Sequence, residues 1–330
     1  MVADGRGREA RSVGATGSAT HRMTAGLGGV TSSMRVLERG WVSSNNIVLF
    51  DDGHSATLID TGYVTHAEQT LDLVRHALDG RRLTRIVNTH LHSDHCGGNA
   101  LLARALGASI TIPPGLAAAV GRWDEEALGF SACGQACDPF RYDAMLRPGD
   151  HLTIGGSEWQ AFASPGHDPN SIVLWNADDR TLISADALWE HGFGAIFPEV
   201  EGESGFAEQR GILELIGALQ PRFVIPGHGA PFTDVNQSLA RAFARLDALE
   251  ASPERNARSV IKTLIKFHLL IVRNVELPEL IQRCAGWHYA QVINERYFRL
   301  PFPELITRSV AELAAGGALV LNNGSITNRD

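Results

Sequence analysis

Short apolar runs alternate with amphipathic stretches between about residues 34 and 231. Residues 47–50, 56–60 and 83–87 are rich in aliphatic and β-branched side chains, which is typical of buried strands. Residues 66–78 instead carry apolar side chains at positions 67, 71, 74 and 78, the spacing of one helix face. This interleaving predicts an α/β fold. Further strands are predicted at 34–38, 110–112, 159–163, 172–175, 181–184 and 223–225, and a covering helix at 206–219.

The pattern changes to consecutive helices from about residue 236. A short apolar run before the Asn323-Gly324 turn indicates a closing hairpin. Helical spacing predicts helices at 237–249, 253–272, 277–283 and 303–315. We therefore expect a mainly helical C-terminal part that acts as a lid or as a dimer surface.

A dense group of metal-binding side chains follows the predicted strand at residues 83–87. The segment 89–95 contains His90, His92, Asp94 and His95. In an extended chain His90 and His92 point to the same side, because side chains alternate. Asp94 and His95 precede a glycine-rich turn and are directed to a second point. Imidazole and carboxylate donors suit zinc, iron, manganese or cobalt better than calcium, so the segment predicts two adjacent transition-metal sites.

Three later strands end in the same way, with a bend or a small residue and then one potential ligand. His167 follows Ser164-Pro165-Gly166, Asp186 follows the strand at 181–184, and His228 follows Pro226-Gly227. Each match alone is weak, because a lone loop histidine is usually structural. Their order after the first group makes them candidates to complete the two sites.

With these motifs the chain resembles the metallo-β-lactamase fold superfamily, whose pattern is His-x-His-x-Asp-His followed by a distant His, Asp and His. The resemblance covers about residues 34–231 and implies a four-layer αβ/βα sandwich. It implies that His90, His92 and His167 bind a first metal. It also implies that Asp94, His95 and His228 bind a second metal and that Asp186 bridges the two. We therefore divide the chain into a disordered leader (1–33), a metallo-β-lactamase-fold catalytic domain (34–235) and a C-terminal cap (236–330).

The segment after Asp186 is similar to the corresponding stretch of glyoxalase II, although Ala195 stands where that branch has an arginine. This difference disfavours a glutathione thioester as the substrate. We expect Trp189, His191, Phe193 and Phe197 to line an apolar substrate pocket. Trp123, Phe130 and Phe140 are candidates for the opposite wall.

Two residues beside the donor group have more than one interpretation. Asp60 ends a strand and is either a carboxylate that orients a ligand histidine or a plain turn residue. Cys96 is expected to pack as a small side chain rather than to bind metal.

Cys133 and Cys137 are expected to be free thiols near the mouth of the site that can pair under oxidation.

Composition narrows the class of protein. The chain has 330 residues, of which 44% are hydrophobic, and this is enough material for a large core. Its formal net charge of -8 is mildly unfavourable for binding polyanions. Residues 251–330 contain ten Lys/Arg against seven Asp/Glu, which does not form a nucleic-acid footprint. No stretch reaches the roughly 18 apolar residues of a membrane span. Four cysteines in a chain of this length favour a reducing cytoplasm over a disulfide framework.

The first 33 residues are rich in Gly, Ala, Ser, Thr and Arg and lack the apolar core of a secretory signal. Because the first predicted strand begins at Met34, we expect translation to start at Met23 or Met34. A weak targeting extension is the rival interpretation.

The resemblance implies a hydrolase in which a hydroxide that bridges two divalent metals, zinc or else manganese or iron, attacks an ester, thioester or lactone carbonyl. Asp94 is expected to pass a proton to the leaving group, and the substrate is expected to be a small acyl compound. Alternatives are a phosphodiesterase or ribonuclease of the same fold and a mononuclear iron sulfur dioxygenase. A true β-lactamase is disfavoured because those enzymes have no bridging aspartate at the position of Asp186. We expect His92→Ala or Asp186→Ala to abolish hydrolysis and Trp189→Ala to change mainly substrate preference.

Overall fold

The computed structural model describes residues 33–40 and 42–329, so the predicted leader lies almost entirely outside the described residues. Two β-sheets form its centre. The first sheet contains β1 (Met34–Leu37), β2 (Asn46–Phe50), β3 (Ser55–Ile59), β4 (Arg82–Val87), β5 (Ser109–Ile112) and β6 (Ala144–Met145), hydrogen-bonded in that order. The second contains β7 (His151–Ile154), β8 (Ser157–Ala163), β9 (Ile172–Asn176), β10 (Thr181–Ala185) and β11 (Phe223–Pro226), in the reverse order across the sheet.

Helices cover the outer faces of both sheets. The helices of the sandwich and its loops are α1 (Ala67–Leu78), α2 (Ser93–Cys96), α3 (Asn99–Leu106), α4 (Ala117–Arg122), α5 (Phe130–Cys133), α6 (Phe197–Glu201), α7 (Phe206–Leu219) and α8 (Val235–Glu250). Apolar residues of α1 and α3 pack on the first sheet, and those of α7 and α8 pack on the second. The layers are therefore helix, sheet, sheet, helix, which confirms the predicted αβ/βα sandwich.

Side-chain alternation along the strands explains how each sheet is covered on both faces. In β2, Ile47 and Leu49 point into the core between the sheets, whereas Val48 and Phe50 point toward α1. Likewise, Phe223 of β11 faces the other sheet and Val224 faces the outer helices. Because both faces of these strands are buried, their sequences are continuous apolar runs instead of an apolar and polar alternation.

The C-terminal cap has a separate hydrophobic core. It contains α9 (Glu254–Val272), α10 (Leu277–Cys284), α11 (His288–Ile293), which continues into a π-helical turn, and α12 (Phe302–Ala315). The strands β12 (Asn274–Glu276), β13 (Leu319–Asn322) and β14 (Ser325–Asn328) form a small sheet in the order β12-β14-β13. The predicted closing hairpin is confirmed as β13 and β14, whereas β12 was not predicted. Among the described helices, none has the length and apolar character needed to cross a bilayer.

Helix α8 was assigned to the cap in the sequence-based division, but it packs elsewhere. Its buried residues Val235, Leu239 and Leu246 belong to the core on the outer face of the second sheet. Apart from Cys133 of α5 and Val200 of α6, the buried residues of the cap core come from α9 and the elements after it. We therefore propose a domain boundary after residue 250 and not at residue 236.

Candidate metal centre

The seven predicted donors all follow strands that end at one rim of the sandwich. Strands β8, β10 and β11 run in the same direction, so their carboxyl ends meet at one edge. The loops after these strands carry His167, Asp186 and His228. The loop after β4 and the short helix α2 bring the remaining four donors from the first sheet to the same place.

His90, His92 and His167 form one triad, with potential ligand atoms within 4.8 Å of one another. His167 Nε2 lies 2.8 Å from His92 Nδ1. Asp94, His95 and His228 form a second triad within the same distance limit. In this triad Asp94 Oδ2 lies 3.1 Å from His228 Nε2 and 3.8 Å from His95 Nε2.

Asp186 lies between the triads and offers one oxygen to each. Its Oδ2 is 3.3 Å from His167 Nε2 of the first triad. Its Oδ1 is 3.5 Å from His95 Nε2 and 3.6 Å from His228 Nε2 of the second. One carboxylate therefore reaches both groups of donors.

The donor atoms fit bound cations better than they fit one another. The buried Nε2 atoms of His90 and His95 have no hydrogen-bond partner among the described residues, and such unsatisfied buried polar atoms are rare unless a ligand pairs them. Neutral imidazole and carboxylate donors are those that zinc and similar ions prefer. A Cβ atom at Gly227 would lie 2.2 Å from Asp186 Oδ1. Only glycine therefore lets the β11 loop approach the Asp186 carboxylate so closely.

Outer partners hold three of the imidazoles from the side away from the cluster. His95 Nδ1 donates to Asp60 Oδ2 at 2.8 Å, and Asp60 also accepts from Thr89 N and Thr89 Oγ1. His167 Nδ1 donates to the Ala195 carbonyl, and His90 Nδ1 lies 3.1 Å from Thr89 Oγ1. Such bonds fix the ring orientation and leave Nε2 free to bind a metal. Asp60 therefore contacts His95 as an orienting carboxylate would, which favours the first of its two interpretations.

His228 is held differently. Its buried Nδ1 has no hydrogen-bond partner among the described residues. The indole ring of Trp189 packs edge to face on its ring, with centroids 5.3 Å apart. Trp189 Nε1 also donates to Asp186 Oδ1 at 3.3 Å. Trp189 thus contacts two donors, a role that its place in an aromatic-rich loop did not reveal.

Burial and nearby charges shift the pKa values of the histidines in the cluster in different directions. Burial lowers the pKa of His92 and of His167 to about 4, and it holds the pKa of His90 well below the usual range. Burial also acts to lower the pKa of His95, but the carboxylates of Asp186, Asp60 and Asp94 outweigh it and raise that pKa well above normal. The first triad is therefore neutral and ready to bind a metal at neutral pH.

Of the four predicted pocket residues, two line the cavity beside the donors. Trp189 and Phe197 do so, and the Phe197 ring lies 5.1 Å from that of His92. Phe193 is instead fully buried in the core under α8, with the Arg245 guanidinium over its ring. His191 is exposed over 76% of its side chain. A tight turn explains both positions, because Trp189 N donates to the carbonyl of Gly192 and puts His191 at the tip.

The cavity has a volume of about 250 Å³ and reaches from the donors to the cap. Phe130 lines it as predicted, whereas Trp123 and Phe140 pack in the core on the first sheet. Phe267 of α9 and Tyr289 of α11 form a wall that the sequence did not indicate. These helices bring residues from well beyond the last donor, His228, into the site.

The cysteines around the site are free and buried. Cys96 lies outside the donor triads, as expected, and its sulfur is 3.8 Å from that of Cys137. Cys133 lines the cavity, and burial raises the pKa of its thiol to about 12. The thiol in contact with Cys137 is therefore that of Cys96.

Comparisons with known proteins agree with the fold and the donor pattern. The model of the metallo-beta-lactamase superfamily matches residues 40–228. Hydroxyacylglutathione hydrolase of Rhodospirillum rubrum is 32% identical over 126 residues, which are 38% of this chain and 41% of that protein. The protein of the same name from Methylococcus capsulatus is 30% identical over 141 residues, 41% of this chain and 44% of that protein. The chain thus spans less than half the length of these relatives.

Solved structures extend the likeness of fold beyond the sandwich. A beta-lactamase domain protein from Burkholderia ambifaria aligns with 91% of this chain and 94% of its own, with a TM-score of 0.55 and 21% identity. A metallo-beta-lactamase from Cronobacter sakazakii aligns with 68% of this chain and 96% of its own, with a TM-score of 0.53 and 19% identity. Only the first alignment is long enough to include most of the cap.

Proposed function

Because the chain belongs to the metallo-beta-lactamase superfamily, we propose that it is a dinuclear metal-dependent hydrolase that cleaves a small ester, thioester or lactone. The two donor triads would each hold one divalent ion, zinc in the first instance. The relatives named hydroxyacylglutathione hydrolase support carboxylic thioester chemistry. The small, largely apolar cavity beside the donors supports an acyl substrate.

The position of Asp186 carries the proposal. A single carboxylate with one oxygen near each triad is what a two-metal centre requires and what a single-metal site would not need. Its pKa is held well below the usual range. Burial acts to raise it, but the imidazoles of His228 and His95 outweigh that effect. Asp186 is therefore ionised and able to serve both positions.

The bound ions would supply Lewis acidity, lowering the pKa of a shared water toward neutrality and polarising the substrate carbonyl. The protein supplies the geometry. Asp94 lines the cavity and its Oδ2 lies 3.1 Å from His228 Nε2. Burial acts to raise the pKa of Asp94, but His95 and His228 keep it lowered. Asp94 is thus a carboxylate that can take up the proton of the attacking water and pass it to the leaving group.

Aromatic side chains form the wall where the acyl group would lie. Trp189 and Phe197 stand beside His228 and His92, and Leu91 and Phe130 continue the apolar surface. Such a surface excludes water around the reacting carbonyl and orients the acyl chain by shape.

The test is to assay a panel of substrates with protein that has been loaded separately with zinc, manganese or iron. The panel contains p-nitrophenyl esters, acyl thioesters, acyl-homoserine lactones and bis-p-nitrophenyl phosphate. We expect carboxylic substrates to be cleaved and the phosphodiester to be at least about a hundredfold slower. Preference for the phosphodiester would favour the phosphodiesterase alternative. Thiol-dependent oxygen uptake with a single iron would favour the sulfur dioxygenase.

We also propose a reducing compartment, the cytoplasm, as the site of action. Four buried free thiols are maintained most easily there, and the Cys96 and Cys137 sulfurs stand close together without a bond. Cell fractionation with an antibody to the chain tests this assignment. Recovery in an oxidising compartment would contradict it.

A further inference from the structure

Two free thiols meet between the helix that carries two of the donors and a loop beside the cavity. Cys96 is the last residue of α2, and its sulfur lies 3.8 Å from that of Cys137, in the loop at residues 134–138. Both side chains are buried, and neither belongs to a group of potential metal ligands among the described residues. The proposed hydrolase chemistry therefore gives this pair of thiols no role.

The Cys96 side of the contact is held firmly by the sandwich. The backbone N–H of Thr61 donates to the carbonyl of His95 at 2.8 Å. A Cβ atom at Gly97 would overlap the backbone at Val64, so the end of α2 fits closely against the segment after β3. If the two sulfurs approach each other, the loop at residues 134–138 must therefore supply most of the movement.

The loop at residues 134–138 lies between α2 and the cap. On one side, Ser93 Oγ of α2 donates to Gln135 Oε1 at 2.6 Å. On the other side, a Cβ atom at Gly134 would overlap the indole of Trp287, which belongs to the cap core. Gln135 also lines the cavity. A covalent bond from this loop to α2 would therefore hold one wall of the cavity in a fixed position relative to the donors.

The separation of the two sulfurs is small enough to be closed locally. A disulfide has an S–S distance of about 2.05 Å, so the sulfurs have to approach each other by about 1.8 Å. A change of rotamer about the Cα–Cβ bond of Cys137 moves its sulfur by a comparable distance. Bond formation therefore needs a small adjustment of the loop and no displacement of α2.

We propose that Cys96 and Cys137 form a reversible disulfide when a hydroperoxide oxidises the protein, and that this bond fixes the loop at residues 134–138 to α2. In a reducing compartment the dithiol form prevails, so the bond would report and resist an oxidative challenge. The inference does not depend on the proposed hydrolase function.

The reaction with hydrogen peroxide has two steps. The sulfur of Cys137, the more exposed of the two, attacks one peroxide oxygen, which breaks the O–O bond and gives a sulfenic acid and one water. The thiol of Cys96 then attacks the sulfenic sulfur and forms the S–S bond. The departing hydroxide takes the Cys96 proton and leaves as a second water. Two electrons pass from the thiols to the peroxide, and a dithiol reductant returns them.

The test treats zinc-loaded protein with hydrogen peroxide, blocks the remaining thiols with N-ethylmaleimide under denaturing conditions, and maps disulfides by mass spectrometry. We expect a peptide that joins Cys96 to Cys137, with Cys284 alkylated. The two cysteines are 41 positions apart, so the bond closes a long loop of the unfolded chain. The melting temperature should therefore rise by at least about 3 °C. Dithiothreitol should reverse both changes.

Hydrogen exchange measures whether the loop becomes fixed. The backbone amides of residues 134–138 should exchange at least about threefold more slowly in the oxidised protein than in the reduced protein. The exposed turn at residues 52–54 is the internal control and should exchange at the same rate in both forms.

Cys137→Ser removes the thiol of the loop and leaves α2 intact. It should abolish the cross-link, the rise in melting temperature and the slower exchange. Cys133→Ala removes the neighbouring thiol of α5 and is the matched control, which should retain all three. The melting temperature of each reduced variant shows whether it folds, and Cys137→Ala is the second variant if Cys137→Ser does not.

Four results would overturn the inference. The thiols could stay free in peroxide, or one of the two sulfurs could be oxidised to a sulfinic acid without a cross-link. The cross-link could involve Cys133, or a bond between Cys96 and Cys137 could change neither the melting temperature nor the exchange of the loop. None of these measurements uses a substrate, so their outcome is independent of whether the protein cleaves a thioester.

Discussion

The donor cluster and the outer wall of the cavity are built in opposite ways. The donors lie at strand ends of one sandwich, all of them except His92 are buried, and some are held by partners such as Asp60 and the Ala195 carbonyl. The outer wall comes from the loop region that contains Phe130 and from a cap that has its own core. It includes exposed groups such as Glu203. We therefore expect the proposed chemistry to depend on the sandwich, and substrate selectivity to depend on how the cap sits on it.

The largest effect should come from removing a donor. His92→Ala or Asp186→Ala should lower ester hydrolysis about a thousandfold or more, since the lost transition-state stabilisation is several kcal/mol. Metal content per chain should fall with the activity. His76→Ala, at an exposed position on α1, is the control and should retain both. Turnover that survives in both donor variants would remove the metal mechanism.

Removing the support of one donor should be less severe. Asp60→Asn keeps the size of the side chain but loses the charge that holds His95 Nδ1–H. We expect metal affinity to fall about 10- to 100-fold. Only one of the two ions per chain should bind more weakly. Competition with a chromophoric chelator measures the affinity of each ion separately. Exposed Asp72→Asn is the matched control. Equal weakening of both ions would contradict the assignment of Asp60 to the second triad.

The contact between cap and sandwich can be broken at Asn256. This buried side chain of α9 accepts from Ile196 N at 3.0 Å and donates to Ile196 O at 2.6 Å. Asn256→Ala leaves both backbone groups unpaired and should lower the free energy of unfolding by about 2 kcal/mol. If the cap governs selectivity, KM should rise more than kcat falls. A change in kcat alone would contradict the division of roles.

Trp189 belongs to both regions, so its variants should separate them. Trp189→Phe keeps an aromatic ring beside His228 and loses the hydrogen bond to Asp186. Metal affinity should fall about three- to tenfold, the equivalent of about 1 kcal/mol, with substrate preference retained. Trp189→Ala should also change substrate preference, because it opens the wall. Identical behaviour of the two variants would show that the hydrogen bond is irrelevant.

Acidification should destabilise the metal-free protein modestly. The folded-state pKa values of His92 and His167 are about 4, below the roughly 6.5 expected in the unfolded chain. The unfolded chain then binds more protons between these values, so stability falls as pH decreases through this window. His90 acts in the same direction. His95, whose pKa is raised, has the opposite sign, but its contribution changes mainly above about pH 6.5, so it offsets little within this window.

Thermal melting of chelator-treated protein measures this effect. The melting temperature should fall from pH 7 to pH 5, and His92→Asn should make the fall shallower. Substitution of exposed His76 should not change it. A melting temperature that rises toward pH 5 would mean that the His95 interaction dominates the cluster.

How much could be predicted from the sequence follows the same division between regions. The donors occupy one compact motif and three strand ends, so local patterns indicated all seven and the structure brings them together. Trp189 was identified as a wall residue, but its bond to Asp186 depends on the turn at Gly192, which also sends His191 outward. A turn of this kind is decided by tertiary contacts.

The cap wall lay beyond local inference. Tyr289 packs against the cap core, which includes residues of α5 and α6, whereas Phe267 packs with Val42 and Tyr63 of the sandwich. These long-range contacts have no sequence motif. The packing of α8 on the second sheet was missed for the same reason, because its amphipathic pattern indicates a helix but not which surface the helix covers.

The most direct test of the central claim is anomalous X-ray diffraction from crystals of the active protein. The account predicts two metal peaks about 3.5–4 Å apart, one among His90, His92 and His167 and the other among Asp94, His95 and His228, with Asp186 between them. A single ion in active protein, or two ions bound away from these side chains, would contradict it.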